Sequence, residues 1–236
     1  MTRAVLFDFA GTLWSDRALR DTHLRTLERV AARAGVGGDA RTLRRAYRDG
    51  LIAAAASYLT EPYYLHRDIF RDGFRYFVGL LGGEADAAVC DWAVDAQYRA
   101  TLADARLRDD CLETLAALRA RGLHVGLVSN IDDEQLRPML AESGLDQALD
   151  AWTSSEEAGS CKPDPGIFHL ALAKAGCTAA EASFVGDTPS ADVVGARSVG
   201  MRSVLIVEPG RDVPALTGAE RPDHVIRTLG DVLALV

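Results

Sequence analysis

The chain has 236 residues, enough for one large domain or for a core that carries an insertion. Its 34 acidic residues outnumber 26 basic ones, and the resulting charge of -8 argues against nucleic acid or an anionic membrane as a partner. No apolar run approaches the roughly 20 residues that span a bilayer, and the start "MTRAVLFDFA" lacks a signal peptide's long apolar stretch, so a cytoplasmic location is expected.

The first predicted element is a buried strand in "RAVLFDF", residues 3 to 9, with Asp8 near its end. From residue 16 to about 103 the pattern changes. The stretches "DTHLRTLERVAARAG", "TLRRAYRDGLIAAAASYL", "RDIFRDGFRYFVGLLGG" and "ADAAVCDWAVDAQYRATL" repeat apolar residues at helical spacing and predict four helices. Strand and helix then alternate: helix "CLETLAALRARG", strand "LHVGLVS", helix "DEQLRPMLAESG", a short strand near "LDAWTS" and helix "PGIFHLALAKAG". Strand "ASFVGD", helix "SADVVGARSVG", strand "RSVLIV", a surface loop, a weak strand "DHVI" and a last helix complete the chain.

Strands that alternate with helices predict βαβ crossovers and a parallel sheet covered on both faces, an α/β fold of Rossmann-like kind. The all-helical block is then an insertion after the first strand. The expected division is a core of 1–14 and 104–236 and a helical domain of 15–103. The cysteines at 90, 111, 161 and 177 stand too far apart for a zinc pattern and read as reduced thiols.

Ligands of open parallel sheets bind at the carboxyl ends of the strands. Four polar clusters fall there: Asp8; Ser129 with Asn130; Lys162 in the loop "SCKPDP"; and Asp187 in "FVGD", with Asp192 five residues on. Carboxylates, a hydroxyl and one lysine on a common rim suit phosphate and magnesium, because Mg²⁺ takes a few hard oxygen ligands and shares the phosphate oxygens of its substrate. Each residue alone is equally an ordinary turn or helix-cap residue. Their order on matching elements is what gives them weight.

The stretches "DFAGTL", "LVSN", "CKPDP" and "GDTPSAD" resemble the four motifs of the haloacid dehalogenase superfamily, and the resemblance spans nearly the whole chain. The helical insertion resembles that family's type 1 cap. The resemblance implies a Mg²⁺-dependent hydrolase of small phosphorylated metabolites, with Asp8 as the nucleophile that forms an aspartyl-phosphate. It implies metal ligation by Asp8, the backbone carbonyl of Ala10 and Asp187, with Asp192 supporting that shell. Lys162 would stabilise the nucleophile and the transferring group, while Ser129 and Thr12 would face phosphate or backbone.

One position departs from the phosphatase pattern. Where such enzymes usually carry a second Asp as general acid and base, this chain has Ala10. Phosphonoacetaldehyde hydrolase resembles it in this alanine but uses a cap lysine, and residues 15 to 103 contain no lysine. The 2-haloacid dehalogenases also lack the second Asp, but they need no metal and lack the carboxylate found here as Asp187. A substrate with a good leaving group, or an acid from the helical insertion, remains; so does a catalytically silent binding protein.

In "EPYYLHRDIF", His66 could replace the missing acid and Arg67 could hold an anionic substrate; the alternative is a helix start with aromatic packing and a solvated arginine. Trp14 either lines the cleft or packs at the hinge. Oligomeric state is not legible in the sequence.

Overall fold

The computed structural model describes residues 1–15, 19–104 and 106–236. Strand β1 (Ala4–Phe7) is buried along its whole length and lies at the centre of a six-stranded parallel sheet. The other strands are β4 (His124–Ser129), β5 (Ala151–Ser154), β6 (Ala182–Gly186), β7 (Arg202–Ile206) and β8 (His224–Ile226), in the order β5-β4-β1-β6-β7-β8. From β1 the chain builds outward through β4 and β5, then returns to the other side of β1 for β6, β7 and β8. The reversal of order falls beside β1, so Asp8, the residue after it, stands where such sheets bind ligands.

Leu6 pairs in register with Gly126 on β4 and Phe184 on β6. Leu6 and Phe184 join Ile167, Phe168 and Ala196 in one core cluster, with the Phe168 and Phe184 rings edge to face at 5.1 Å. Ile167 and Phe168 come from helix α9 (Pro165–Ala175) and Ala196 from helix α10 (Val194–Ser198). Val5 and Phe7 point to the opposite face by strand alternation and are also buried, so both faces are covered. Helix α5 (Cys111–Ala120) packs beside β4; helices α6 (Asp133–Ser143), α7 (Leu145–Ala148) and α8 (Ser155–Ala158) complete this part.

The chain divides into two compact units: Met1–Ser15 with Arg106–Val236, and Asp16–Ala105. Among the described residues the second holds four helices, α1 (Leu19–Arg33), α2 (Ala40–Tyr58), α3 (His66–Leu80) and α4 (Ala87–Asp104). Their core gathers Leu27, Val30, Leu43, Phe74, Phe77 and Val94. Helix α2 starts where the Asp39 side chain accepts the Thr42 amide at 2.7 Å, relieving one of the helix's unpaired donors. Helices α2 and α3 meet at a close crossing. A Cβ on Gly50 would lie 2.8 Å from the Gly73 carbonyl oxygen, so only glycine lets the backbones approach this far.

Three elements differ from the sequence expectation. The stretch "SADVVGARSVG" is not one regular helix: a π-type turn over Pro189–Val193 precedes the short α10. The Asp192 amide donates to the Thr188 carbonyl and the Asp192 side chain accepts the Thr188 amide, which closes this turn on Thr188. The last helix is a 3-10 segment, Gly230–Ala234, too short to propagate an α-helical ladder. A two-stranded antiparallel ribbon, β2 (Trp14–Ser15) with β3 (Arg106–Leu107), was not expected, since two-residue strands are too short to show a period. Among the described residues, no helix is long and apolar enough to cross a membrane.

Candidate active site

Asp8 follows β1 with its amide donating to the Val185 carbonyl of β6 at 2.8 Å, an extension of the sheet that fixes its backbone. The next residues turn sharply. Phe9 O accepts the amides of Leu13 and Trp14 at 2.9 and 3.0 Å, and Gly11 takes a φ of 80°, a conformation costly for any side-chain-bearing residue. A Cβ on Gly11 would sit 2.2 Å from Asp187 Oδ2. Glycine here serves two ends at once: it allows the turn, and it lets the Asp187 carboxylate press against the loop that carries the Ala10 carbonyl.

Lys162 reaches the same point from the loop before α9. Its Nζ donates to Asp8 Oδ1 at 2.6 Å, to Asp192 Oδ1 at 2.7 Å and to the Val128 carbonyl at 3.1 Å, which uses all three of its protons. Asp8 and Lys162 are 7% and 5% exposed, so this pairing is shielded from water. Asp192 Oδ2 accepts the Thr188 amide at 2.9 Å, so both of its oxygens are held by protein donors. Thr12, fully buried, donates from Oγ1 to Asp8 Oδ2 at 3.3 Å.

Burial pushes the Asp8 carboxyl up to about 7; Lys162 opposes this, while Asp192 and Asp187 add to it. Burial works against the charge of Lys162, but Asp192 and Asp8 outweigh it and raise its pKa. Two carboxylates thus share one ammonium. One oxygen from each of Asp8, Asp187 and Asp192 lies within 4.8 Å of the other two, an acidic cluster. Three clustered hard oxygen donors and a glycine-floored approach for Asp187 fit a small divalent cation such as Mg²⁺.

The remaining candidates take different places. Ser129 is buried at the end of β4, opposite Ser154 of β5 and next to the carbonyl that holds Lys162. Asn130 holds the lysine loop: its Nδ2 donates to the Lys162 carbonyl at 2.9 Å and its Oδ1 accepts the Lys162 amide at 2.6 Å, a two-point clasp on the lysine's backbone. Trp14 is buried and packs on Phe9 with ring centroids 5.0 Å apart. Ala10 is exposed.

His66 and Arg67 belong to the helical unit, where His66 lies 5.1 Å from the Tyr64 ring and Arg67 pairs with Asp95 of α4 at 2.8 Å. Two residues the sequence reading did not single out also touch the site. Thr188 caps Asp192. Arg108, just past β3, reaches the carbonyls of Gly11 and Thr12. No motif marks Arg108, because its partners are nearly a hundred positions away.

Among proteins of known name, the chain is 35% identical over 148 residues to ribulose-1,5-bisphosphate 5-phosphatase of Halopiger xanaduensis, covering 60% of this chain and 62% of that protein. It is 39% identical over 120 residues to haloacid dehalogenase-like hydrolase domain-containing protein 3 of Bos taurus, covering 51% and 47%. The chain therefore spans about half to three-fifths of the length of these relatives. Among solved structures, the magnesium-bound HAD-hydrolase YfnB of Bacillus subtilis shares the fold over 99% of this chain and 98% of its own, with a TM-score of 0.79 at 19% identity. A profile of haloacid dehalogenase-like hydrolases matches residues 2–200, a span that contains Asp8, Lys162 and the Asp187–Asp192 turn alike; the chain belongs to the haloacid dehalogenase-like hydrolase family.

Proposed function

We propose that the chain is a Mg²⁺-dependent phosphoryl hydrolase of a small phosphorylated metabolite, with Asp8 as its nucleophile. The observation that carries this reading is the buried Asp8 carboxylate, gripped by Lys162 at 2.6 Å and set in one acidic cluster with Asp187 and Asp192. Metal-free halide displacement would give Asp187 no task. The likeness to a ribulose bisphosphate phosphatase supports phosphoester chemistry and a compact, polyanionic substrate.

An Asp8 oxygen attacks phosphorus, and the bond from phosphorus to the leaving oxygen breaks with its electron pair on that oxygen. Water then attacks the phosphorus of the aspartyl-phosphate, the bond to Asp8 breaks with its electron pair on the carboxylate, and hydrogen phosphate departs with one of the water's protons while the other passes to solvent. Lys162 keeps the attacking oxygen in place and offsets charge on the transferring group, the main demand of phosphoryl transfer. Asp8, Asp187 and the Ala10 carbonyl would hold Mg²⁺, with Asp192 acting on the lysine and the Thr188 amide. Bound there, the ion supplies positive charge to a phosphoryl oxygen.

Ala10 has no proton to give to the leaving oxygen and cannot take one from water. The reading therefore favours acyl and aryl phosphates, whose leaving groups depart as stable anions, over alkyl phosphates. The test is phosphate release from a panel of acyl, aryl and alkyl phosphates with Mg²⁺ and with chelator. Asp8→Asn should lower turnover by about 10⁴-fold or more while thermal melting stays close to wild type. Undiminished turnover in chelator, or in Asp8→Asn, would remove the reading; so would failure of beryllium fluoride with Mg²⁺ to engage Asp8.

A further inference from the structure

We propose that Arg108 is a positioning residue that sets the direction of the Ala10 carbonyl, and so the geometry of the cation site, from outside that site; the inference rests on the metal-dependent reading above. The argument begins with one peptide plane. The Ala10 carbonyl and the Gly11 amide belong to the same trans peptide, so they point in opposite directions. The Gly11 amide donates to the Trp14 carbonyl at 3.0 Å, which turns the Ala10 oxygen the other way.

That plane stays put only if the turn beyond it is fixed. Arg108 fixes it: Nε donates to the Thr12 carbonyl at 2.7 Å and Nη2 to the Gly11 carbonyl at 2.5 Å, the two peptide groups directly after the ligand. Its own amide donates to the Leu13 carbonyl at 2.9 Å, so the arginine's backbone and side chain both hold the loop. The guanidinium is in turn paired with Glu208, just past β7, at 3.0 Å. The Arg108 side chain is 9% exposed, so water competes weakly for these bonds.

A rigid planar fork is suited to two neighbouring carbonyls in a way that a lysine ammonium is not. Outer-shell partners of metal ligands commonly change metal affinity or activity by 10- to 100-fold when removed. Gly11, with its φ of 80°, has the widest conformational choice of any residue in the loop and gains most from such a clamp.

The test compares wild type with Arg108→Met, Arg108→Lys and Glu208→Gln in the full chain. Mg²⁺ binding is read by titration calorimetry, kcat and substrate KM by phosphate release, and loop protection by hydrogen exchange of residues 8–14 in metal-free protein. Expected are a rise of about tenfold or more in the Mg²⁺ Kd, a lower kcat at nearly constant KM, and faster exchange in the loop. Arg108→Lys should recover part of the loss and Glu208→Gln should show a smaller one. Glu208 is less buried than Arg108, so Glu208→Gln keeps the test open if Arg108→Met does not fold. Folded variants with wild-type Mg²⁺ affinity, kcat and exchange would overturn the clamp. Wild type that binds no Mg²⁺ would instead overturn the metal reading, and the present inference with it.

Discussion

Lys162 binds three acceptors with three protons, and two of those acceptors are buried carboxylates. Replacing it by methionine would leave Asp8 and Asp192 without their shared counter-charge in a place that water does not reach. Breaking a buried pair in this way costs roughly 3 to 5 kcal/mol. Lys162→Met should therefore show a loss of that order in urea unfolding with chelator present, and a change below 1 kcal/mol would mean that the pairing is looser than its distances imply. Ala10 makes the opposite case, since it is exposed. A positioned general acid is worth about 10²- to 10⁴-fold in rate. Ala10→Asp should raise alkyl phosphate hydrolysis selectively, and the gain should shrink as leaving-group pKa falls; an equal effect on aryl and alkyl substrates would count against the missing acid.

Helices α2 and α3 show how an element can contradict its own propensity. Glycine inside a helix is less favourable than alanine by roughly 1 kcal/mol, so by propensity alone Gly50→Ala should stabilise the protein. The crossing argues the reverse. The added Cβ would lie 2.8 Å from the Gly73 carbonyl oxygen and 3.0 Å from the Phe77 amide nitrogen, both backbone atoms that cannot swing aside. Overpacking of this kind costs about 1 to 3 kcal/mol, and equilibrium unfolding of Gly50→Ala should show a net loss. A stabilised variant would mean that the helices separate easily. The α3–α4 contact rests on apolar packing of Phe74 and Phe77 with Val94; Arg67 with Asp95 and Arg71 with Asp91, at 2.8 and 2.7 Å, flank it as pairs exposed enough that each contributes little singly.

For the molecule as a whole, the acidic cluster links stability to metal. A cation that binds the folded chain and not the unfolded one stabilises it by roughly 2.7 kcal/mol at a hundred times its Kd. Thermal melting should therefore rise with millimolar Mg²⁺ in wild type, and Asp187→Asn should lose most of the rise. The same upward shift in Asp187→Asn, or none in wild type, would place any Mg²⁺ effect elsewhere on a surface of net charge -8.

Periodicity within ten or fifteen residues was enough to identify the four helices of the insertion, the strands of the parallel sheet and their alternation, because helix and strand patterns depend on neighbours three, four or two positions apart. It failed where that signal is absent: in the two-residue ribbon strands and in the turn at Pro189–Val193, where Asp192 bonds back to Thr188. The chemical residue types at the strand ends could be read the same way, but their partners could not. Asp8 and Lys162 are 154 positions apart, Lys162 and Asp192 are 30 apart, and Arg108 meets Gly11 across 97. Those meetings depend on strand order and register, which local hydrophobic pattern does not encode. For the same reason the clasp that Asn130 makes on the backbone of Lys162 was not legible: its partner lies in a loop 32 residues on, brought near only when the sheet has closed around β1.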